Sequence, residues 1–185
     1  MRKILFLGLV AACALAVYAQ QHGMAPKIEG QAAAGVMKPS QGYDVHVLAP
    51  HLVDGKQMGP YHHYCKTYAP DPIIVCLIYD EAEPNALLSQ VEWIYAKKLT
   101  RNQVSLKDWN RNWHDHQIEI SGGRVKVLDM PEADAKKVAE LVSTTDVLIY
   151  NFYFDGKVPN GKMSIAQAVG HKPMTEAEWK SYEKK

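Results

Sequence analysis

The sequence predicts a single α+β domain in which a mainly antiparallel β-sheet is accompanied by a few short helices. Segments typical of single strands alternate with segments typical of short helices, without a regular strand–helix–strand repeat. The chain beyond residue 19 has the length of one domain that can bury a core. No segment repeats another.

The first 19 residues are typical of a secretory signal peptide. A short basic segment precedes an apolar run over residues 4–17, and small residues at Val17 and Ala19 fit a cleavage site. The run is shorter than the roughly 20 residues needed to span a bilayer. A lipoprotein signal ending at Cys13 is the alternative. We therefore expect an exported protein, periplasmic or extracellular.

Residues 20–41 are predicted to form a flexible N-terminal arm, because they are rich in Ala, Gly and Gln without a sustained period. Residues 42–185 form the predicted domain. Basic and acidic residues nearly balance and do not cluster, which argues against a nucleic-acid partner. No second apolar run reaches spanning length, so we expect no transmembrane segment in the mature chain.

Six segments have the alternation or the continuous apolar character of β-strands. The first is expected to end at Pro50, and residues 51–60 are predicted to be turn and loop because glycine and proline recur there. The fourth, over residues 87–95, also fits a helix face, but we interpret it as a strand. Residues 163–170 fit neither class clearly. The predicted strands cover residues 43–48, 61–68, 73–79, 87–95, 113–120 and 147–154.

Short helices are predicted between and after these strands. The clearest covers residues 131–142, where a proline in the first turn is followed by apolar residues at helical spacing. Residues 97–111 contain short helical pieces, and Ser105 begins a capping-box pattern there. Thr175 begins another, which predicts a charged C-terminal helix.

His114 and His116 form the strongest metal-ligand pattern in the sequence. Residues two apart on a strand share a face, so both imidazoles can reach one ion. Imidazole nitrogen suits zinc, copper or iron, and His63 is the predicted third ligand. On a regular strand Glu119 faces away from both histidines, unless a bulge reverses it. The other candidate ligands are His62, His46, Glu92 and Glu119.

Three functions fit these residues. The first is an exported binding protein for one transition-metal ion, with Glu92 or Glu119 orienting the histidines. The second is a structural or lipid-associating protein whose histidines are hydrogen-bonded in the core, and the third is a metal-dependent enzyme. Pairing a histidine with a glutamate as general base gives a hydrolase variant. The sequence contains no nucleophile elbow, phosphate loop or haem-attachment motif, which favours a binding protein.

Cys65 and Cys76 are the two cysteines outside the N-terminal segment. An even pair in an exported protein suggests a disulfide. Two buried free thiols and a metal-bound thiolate are the alternatives.

Several motifs of the chain occur together in a known family. The most specific are His62-His63-Tyr64-Cys65 and Trp113-His114-Asp115-His116-Gln117-Ile118-Glu119. Three further motifs lie between them, at residues 75–80, 85–88 and 91–94. Over residues 43–170, their order and spacing resemble the domain-of-unknown-function family that includes plant oil body-associated proteins.

This resemblance implies no catalytic activity, because the family has none established to carry over. Plant members associate with oil bodies, which implies contact with a lipid surface or a lipid-related role, and the expected partner is a small ligand or a lipid. The export signal is absent from the plant proteins, so that role does not transfer directly, and residues 155–170 match only loosely. Cytosolic relatives keep both cysteines, which argues against a disulfide. The matching motif residues are His62, His63, Cys65, Cys76, Glu92, His114, His116 and Glu119.

Overall fold

The computed structural model describes residues 39–69 and 71–183. The predicted signal peptide and almost all of the predicted arm lie outside the described residues. The strands are β1 Val45–Val53, β2 Lys56–Ala69, β3 Ile73–Tyr79, β4 Leu88–Ala96, β5 His114–Asp115, β6 Lys126–Leu128, β7 Thr145–Asp155 and β8 Val158–Ala168. The helices are α1 Lys97–Gln103, α2 Leu106–Asn112, α3 Gln117–Ser121, α4 Glu132–Val142 and α5 Glu176–Glu183.

The eight strands form one antiparallel sheet, which confirms the α+β prediction. Its strand order is β2-β3-β4-β7-β8-β1-β6, and β5 pairs with β7 beside this path. Strand β1 also pairs with β2 along most of its length, so the sheet closes on itself. Closure gives the strands an inner face, and the interior is filled by their inward-pointing side chains.

Alternation along each strand decides which side chains enter this interior. On β2, Tyr61, His63 and Cys65 are buried, whereas His62 and Tyr64 on the opposite face are partly exposed. Helix α4 packs its own apolar side chains against the same core. The core cluster consists of Val53, Tyr61, Cys65, Ile74, Cys76, Ile78, Ile94, Val142, Val147, Ile149 and Ala166.

Cys65 and Cys76 form a disulfide between β2 and β3. The two residues face each other in the register of these strands, which brings their side chains together in the interior. In the chain-entropy account, closing a loop of this length contributes about 2–3 kcal/mol to the free energy of unfolding. The bond therefore fixes the register of the strand that carries His63.

The predicted helices are confirmed together with their N-terminal signals. Ser105 accepts a hydrogen bond from the backbone N–H of Asp108 at the start of α2. Thr175 and Glu178 form a reciprocal capping box at the start of α5. Helix α4 begins directly after Pro131. No helix of the described residues combines the length and apolar character needed to cross a membrane.

The prediction of a loop over residues 51–60 was wrong. Strand β1 continues to Val53, β2 begins at Lys56, and the turn between them occupies two residues. Pro50 does not end β1, because the register with β2 shifts by one residue between Ala49 and His51. A proline is tolerated at such a bulge, where the regular ladder of hydrogen bonds is interrupted.

The predicted strand over residues 113–120 was also wrong. Only β5, two residues long, is extended there, and α3 follows at once. Asp115 accepts a hydrogen bond from the backbone N–H of Gln117 at 2.9 Å, which favours a helical turn over continued strand. The undecided residues 163–170 belong largely to β8.

Candidate metal centre

Three buried residues from different strands converge inside the closed sheet. His51 comes from β1, His63 from β2 and Glu92 from β4, and each points inward from its strand. One ligand atom from each residue lies within 4.8 Å of those of the other two. Two imidazoles and one carboxylate at this spacing form a donor set that several transition metals accept.

Hydrogen bonds fix the orientation of both imidazoles. His63 Nδ1 donates to the carbonyl oxygens of Tyr61 and Val47, at 3.1 and 3.3 Å. His51 Nδ1 donates to Gln90 Oε1 at 2.6 Å. Gln90 presents its oxygen there because its amide nitrogen donates to Asn151 Oδ1. Both imidazoles therefore carry hydrogen on Nδ1, which leaves Nε2 with a lone pair when the ring is neutral.

The two Nε2 atoms of His51 and His63 face each other at 3.1 Å. Two lone pairs at this distance repel unless a cation lies between or beside them. Around a tetrahedral zinc ion with bonds of about 2.0–2.1 Å, two ligand nitrogens are about 3.3–3.4 Å apart. Histidines that bind metals commonly donate their other ring nitrogen to a carbonyl or carboxylate oxygen, as both residues do here.

A second group of polar side chains, formed by Glu119, His114 and His116, adjoins His51, His63 and Glu92. Glu119 Oε2 lies 3.4 Å from His114 Nε2 and 3.5 Å from His116 Nε2. His114 Nδ1 donates to Gln167 Oε1 and His116 Nδ1 donates to Thr145 Oγ1, each at 3.1 Å. Among the described residues, neither His114 Nε2 nor Glu119 Oε1 has a hydrogen-bond partner. Buried polar atoms without hydrogen-bond partners are rare in folded proteins, and a bound ion is one of the features that explain them.

Burial and neighbouring charges shift the protonation of the cluster. Burial lowers the pKa of His63 to about 3 and that of His116 to about 4, and it also lowers the pKa of His51. These rings are therefore neutral at neutral pH. Burial raises the pKa of the Glu92 carboxyl well above its usual value, and the charge of Glu119 adds to this effect.

Glu119 differs from Glu92 in its electrostatic environment. Burial alone would raise the pKa of the Glu119 carboxyl, but the neighbouring imidazoles of His114, His116 and His51 outweigh burial and lower it. The pKa values of the two carboxyls are consequently shifted in opposite directions. A pair of this kind can combine one charged ligand with one proton carrier.

The structure brings together most of the residues that the sequence singled out. His63, Glu92, His114, His116 and Glu119 all reach the interior. Glu119 turns toward the histidines because α3 is helical and places it three residues beyond His116 on one face. The expectation that it faces away depended on the strand that does not form.

His62 lies apart from this cluster, on the outer face of β2. Its Nδ1 is 2.9 Å from His46 Nε2, and His46 Nδ1 is 2.6 Å from Asp129. Alternation along β2 separates His62 from His63. The two candidates His46 and His62 thus form a chain of hydrogen bonds with Asp129 outside the closed sheet.

Sequence reasoning missed His51, because it was assigned to the loop after Pro50. A signal for it was present. The odd-numbered positions of β1 continue inward through Ala49 to Val53, and His51 occupies the next inward position after Ala49. Extending the alternation across the proline would have placed His51 beside His63.

The match to known proteins covers most of the chain. A family model described as "Protein of unknown function (DUF1264)" matches residues 37–184. Oil body-associated protein 1B of Arabidopsis thaliana is 30% identical over 112 residues, which cover 58% of this chain and 45% of that protein. The chain thus spans less than half the length of this relative. No solved structure matches. The extent of the family match shows that the chain belongs to the DUF1264 family.

Proposed function

We propose that this protein is a small exported binding protein that holds one transition-metal ion inside its closed sheet. The opposed Nε2 atoms of His51 and His63, 3.1 Å apart with both Nδ1–H groups already bonded, carry this proposal. A metal ion would accept both lone pairs at once. Export is proposed from the first 19 residues, which have the pattern of a signal peptide.

Glu92 is the third ligand in this proposal, since its carboxylate belongs to the same group of donor atoms. Imidazole and carboxylate together suit zinc, iron or copper, whereas calcium and magnesium favour sets made only of oxygens. Glu119, His114 and His116 adjoin the three ligands and offer further donors. The unpartnered atoms of His114 and Glu119 support a role for this side of the cluster.

Elemental analysis of the protein purified without a histidine tag tests this function. We expect about one equivalent of zinc, copper or iron per chain. The His51→Ala/His63→Ala double variant should hold less than about a tenth of that amount, because it lacks both opposed nitrogens. His62→Ala is the matched control, since it removes the neighbouring imidazole on the outer face and should leave the metal content unchanged.

Two results would contradict metal binding at this cluster. One is a folded wild-type protein that is free of metal and takes up none from added salts. The other is an unchanged metal content in the His51→Ala/His63→Ala variant with a normal circular dichroism spectrum. A loss in His62→Ala equal to that in the double variant would instead place the ion on the outer face.

A second candidate function is association with a lipid surface, and exposed apolar side chains on β8 favour it. Val158 and Met163 on β8 are 67% and 63% exposed. Met163 lines a groove of about 390 Å³ together with Leu87 and the flanking Lys157 and Lys162. Apolar side chains flanked by lysines suit a membrane with anionic lipids. The name of the Arabidopsis relative, which refers to oil bodies, agrees with this candidate.

Co-sedimentation with phosphatidylglycerol vesicles tests the lipid candidate. The Val158→Glu/Met163→Glu variant should bind at least tenfold more weakly, because inserting each apolar side chain contributes about 1.5–3 kcal/mol. Leu141→Glu is the control, since Leu141 is also exposed but belongs to α4 and neither to β8 nor to the groove. Equal binding by all three proteins, or none by the wild type, would reject this candidate.

A further inference from the structure

A cavity of about 80 Å³ adjoins the three proposed metal ligands. His51, His63 and Glu92 form part of its lining, with Glu119 beside them. The remaining lining is almost entirely aliphatic and comes from several elements, including Val47 of β1 and Val142 of α4. The polar groups that can ligate an ion are therefore exposed to a space with apolar walls.

This lining limits what the cavity can hold. Apart from the histidines and glutamates, Thr67 supplies the one polar side chain among the lining residues described. Ordered water needs two to four polar partners, which aliphatic walls do not offer. A molecule that fits both the aliphatic walls and the histidines and glutamates has an apolar body and a single polar end. The volume accommodates roughly five to eight water-sized groups.

We propose that the metal centre binds a short-chain monocarboxylate, whose carboxylate ligates the ion while its alkyl chain occupies the aliphatic cavity. This inference rests on the proposed metal-binding function. Carboxylate oxygen is a normal ligand of zinc and other transition metals, and three protein ligands leave the fourth position of a tetrahedral ion for it. A chain of about four to six carbons, including the carboxyl carbon, matches the volume.

Helix α4 forms one wall of the cavity. Val138, Leu141 and Val142 of this helix all line the cavity, and Leu141 is 43% exposed. Val138 is partly buried and packs against the core. The size of the side chain at position 138 therefore sets the space available to the alkyl chain without touching a proposed ligand of the metal.

Titration of the Co²⁺-loaded protein with unbranched carboxylates tests the inference, with the visible absorption of cobalt as the readout. Affinity should rise about fourfold for each methylene from acetate to butyrate or hexanoate, the effect of burying one methylene group. Decanoate should bind more weakly than hexanoate because it exceeds the cavity. 1-Butanol should produce no comparable spectral change, because it lacks the carboxylate.

Two variants at one position sharpen the experiment. Val138→Phe should shift the tightest ligand to a shorter chain, and Val138→Ala should shift it to a longer chain. Opposite shifts are a result that general destabilisation cannot produce. Thermal melting and cobalt stoichiometry, measured on both variants, confirm that each is folded and loaded.

The possible failures are distinguishable. A protein that binds one Co²⁺ but shows no spectral response to carboxylates, or the same affinity for acetate and hexanoate, overturns the carboxylate inference and leaves the metal site standing. An equal response to 1-butanol overturns the choice of a carboxylate. A protein that takes up no cobalt, zinc, copper or iron overturns both the metal site and this inference.

Discussion

Replacing Arg101 with methionine should lower the free energy of unfolding by about 3–5 kcal/mol, because it leaves the carboxylate of Asp146 buried without its partner. The Arg101 side chain is 3% exposed and that of Asp146 is fully buried. Arg101 donates to both oxygens of Asp146, at 2.7 and 2.9 Å, and to Asp115 at 2.9 Å. Urea unfolding of the two proteins measures the difference.

Lys98→Met provides the matched control on the same helix. Lys98 pairs with Asp71 at 2.6 Å, but its side chain is 62% exposed, so its loss should cost less than about 1 kcal/mol. The Arg101→Met/Asp146→Leu double variant should recover most of the lost stability, because it removes both charges together. A loss below 1 kcal/mol for Arg101→Met would show that Asp146 is not held as a buried ion.

The same ion pair links stability to the candidate metal centre. Arg101 holds α1 against β7 through Asp146 and against β5 through Asp115. Asp115 lies between His114, which belongs to β5, and His116, which precedes α3, so its ion pair with Arg101 fixes the backbone between the two histidines. Arg101→Met is therefore also expected to disturb the side of the cluster formed by Glu119.

Strands and helices were predicted correctly where the pattern of apolar and polar residues within the segment itself decides the structure. The inward and outward faces of β2, the apolar run of β3 and helix α4, which follows Pro131, are examples. The end of β1 was not predictable in this way, because the tolerance of Pro50 depends on a register shift against β2. Closure of the sheet likewise depends on pairings between distant segments, which no local alternation encodes.

The candidate site shows the same division. His63, Glu92 and His114 were predicted as candidates from residue type and spacing, and the structure places all three in the interior. His51 was missed because the end of β1 was missed. The prediction that Glu119 faces away from the histidines was wrong, because Asp115 starts a helix where alternation suggested a strand. The tautomers of the histidines depend on Gln90 and Gln167, whose positions beside the rings follow from tertiary structure alone.

Replacing Gln90 with leucine should weaken metal binding by about 10–100-fold, the usual effect of losing a residue that orients a ligating histidine. Gln90 Oε1 holds the Nδ1–H of His51 and so directs the lone pair of Nε2 toward His63. Leucine has a similar volume but accepts no hydrogen bond, so His51 can adopt the other tautomer or rotate. Competition with a chromophoric chelator measures the affinity.

Gln167→Leu is the matched variant, because Gln167 holds the Nδ1–H of His114 in the same way. If His51, His63 and Glu92 hold the ion, Gln167→Leu should change the affinity by less than about threefold. A larger loss in Gln167→Leu than in Gln90→Leu would move the ion to the side of the cluster formed by His114, His116 and Glu119. Equal affinities in both variants and the wild type would show that neither glutamine orients a ligand, and the tautomer argument would fail.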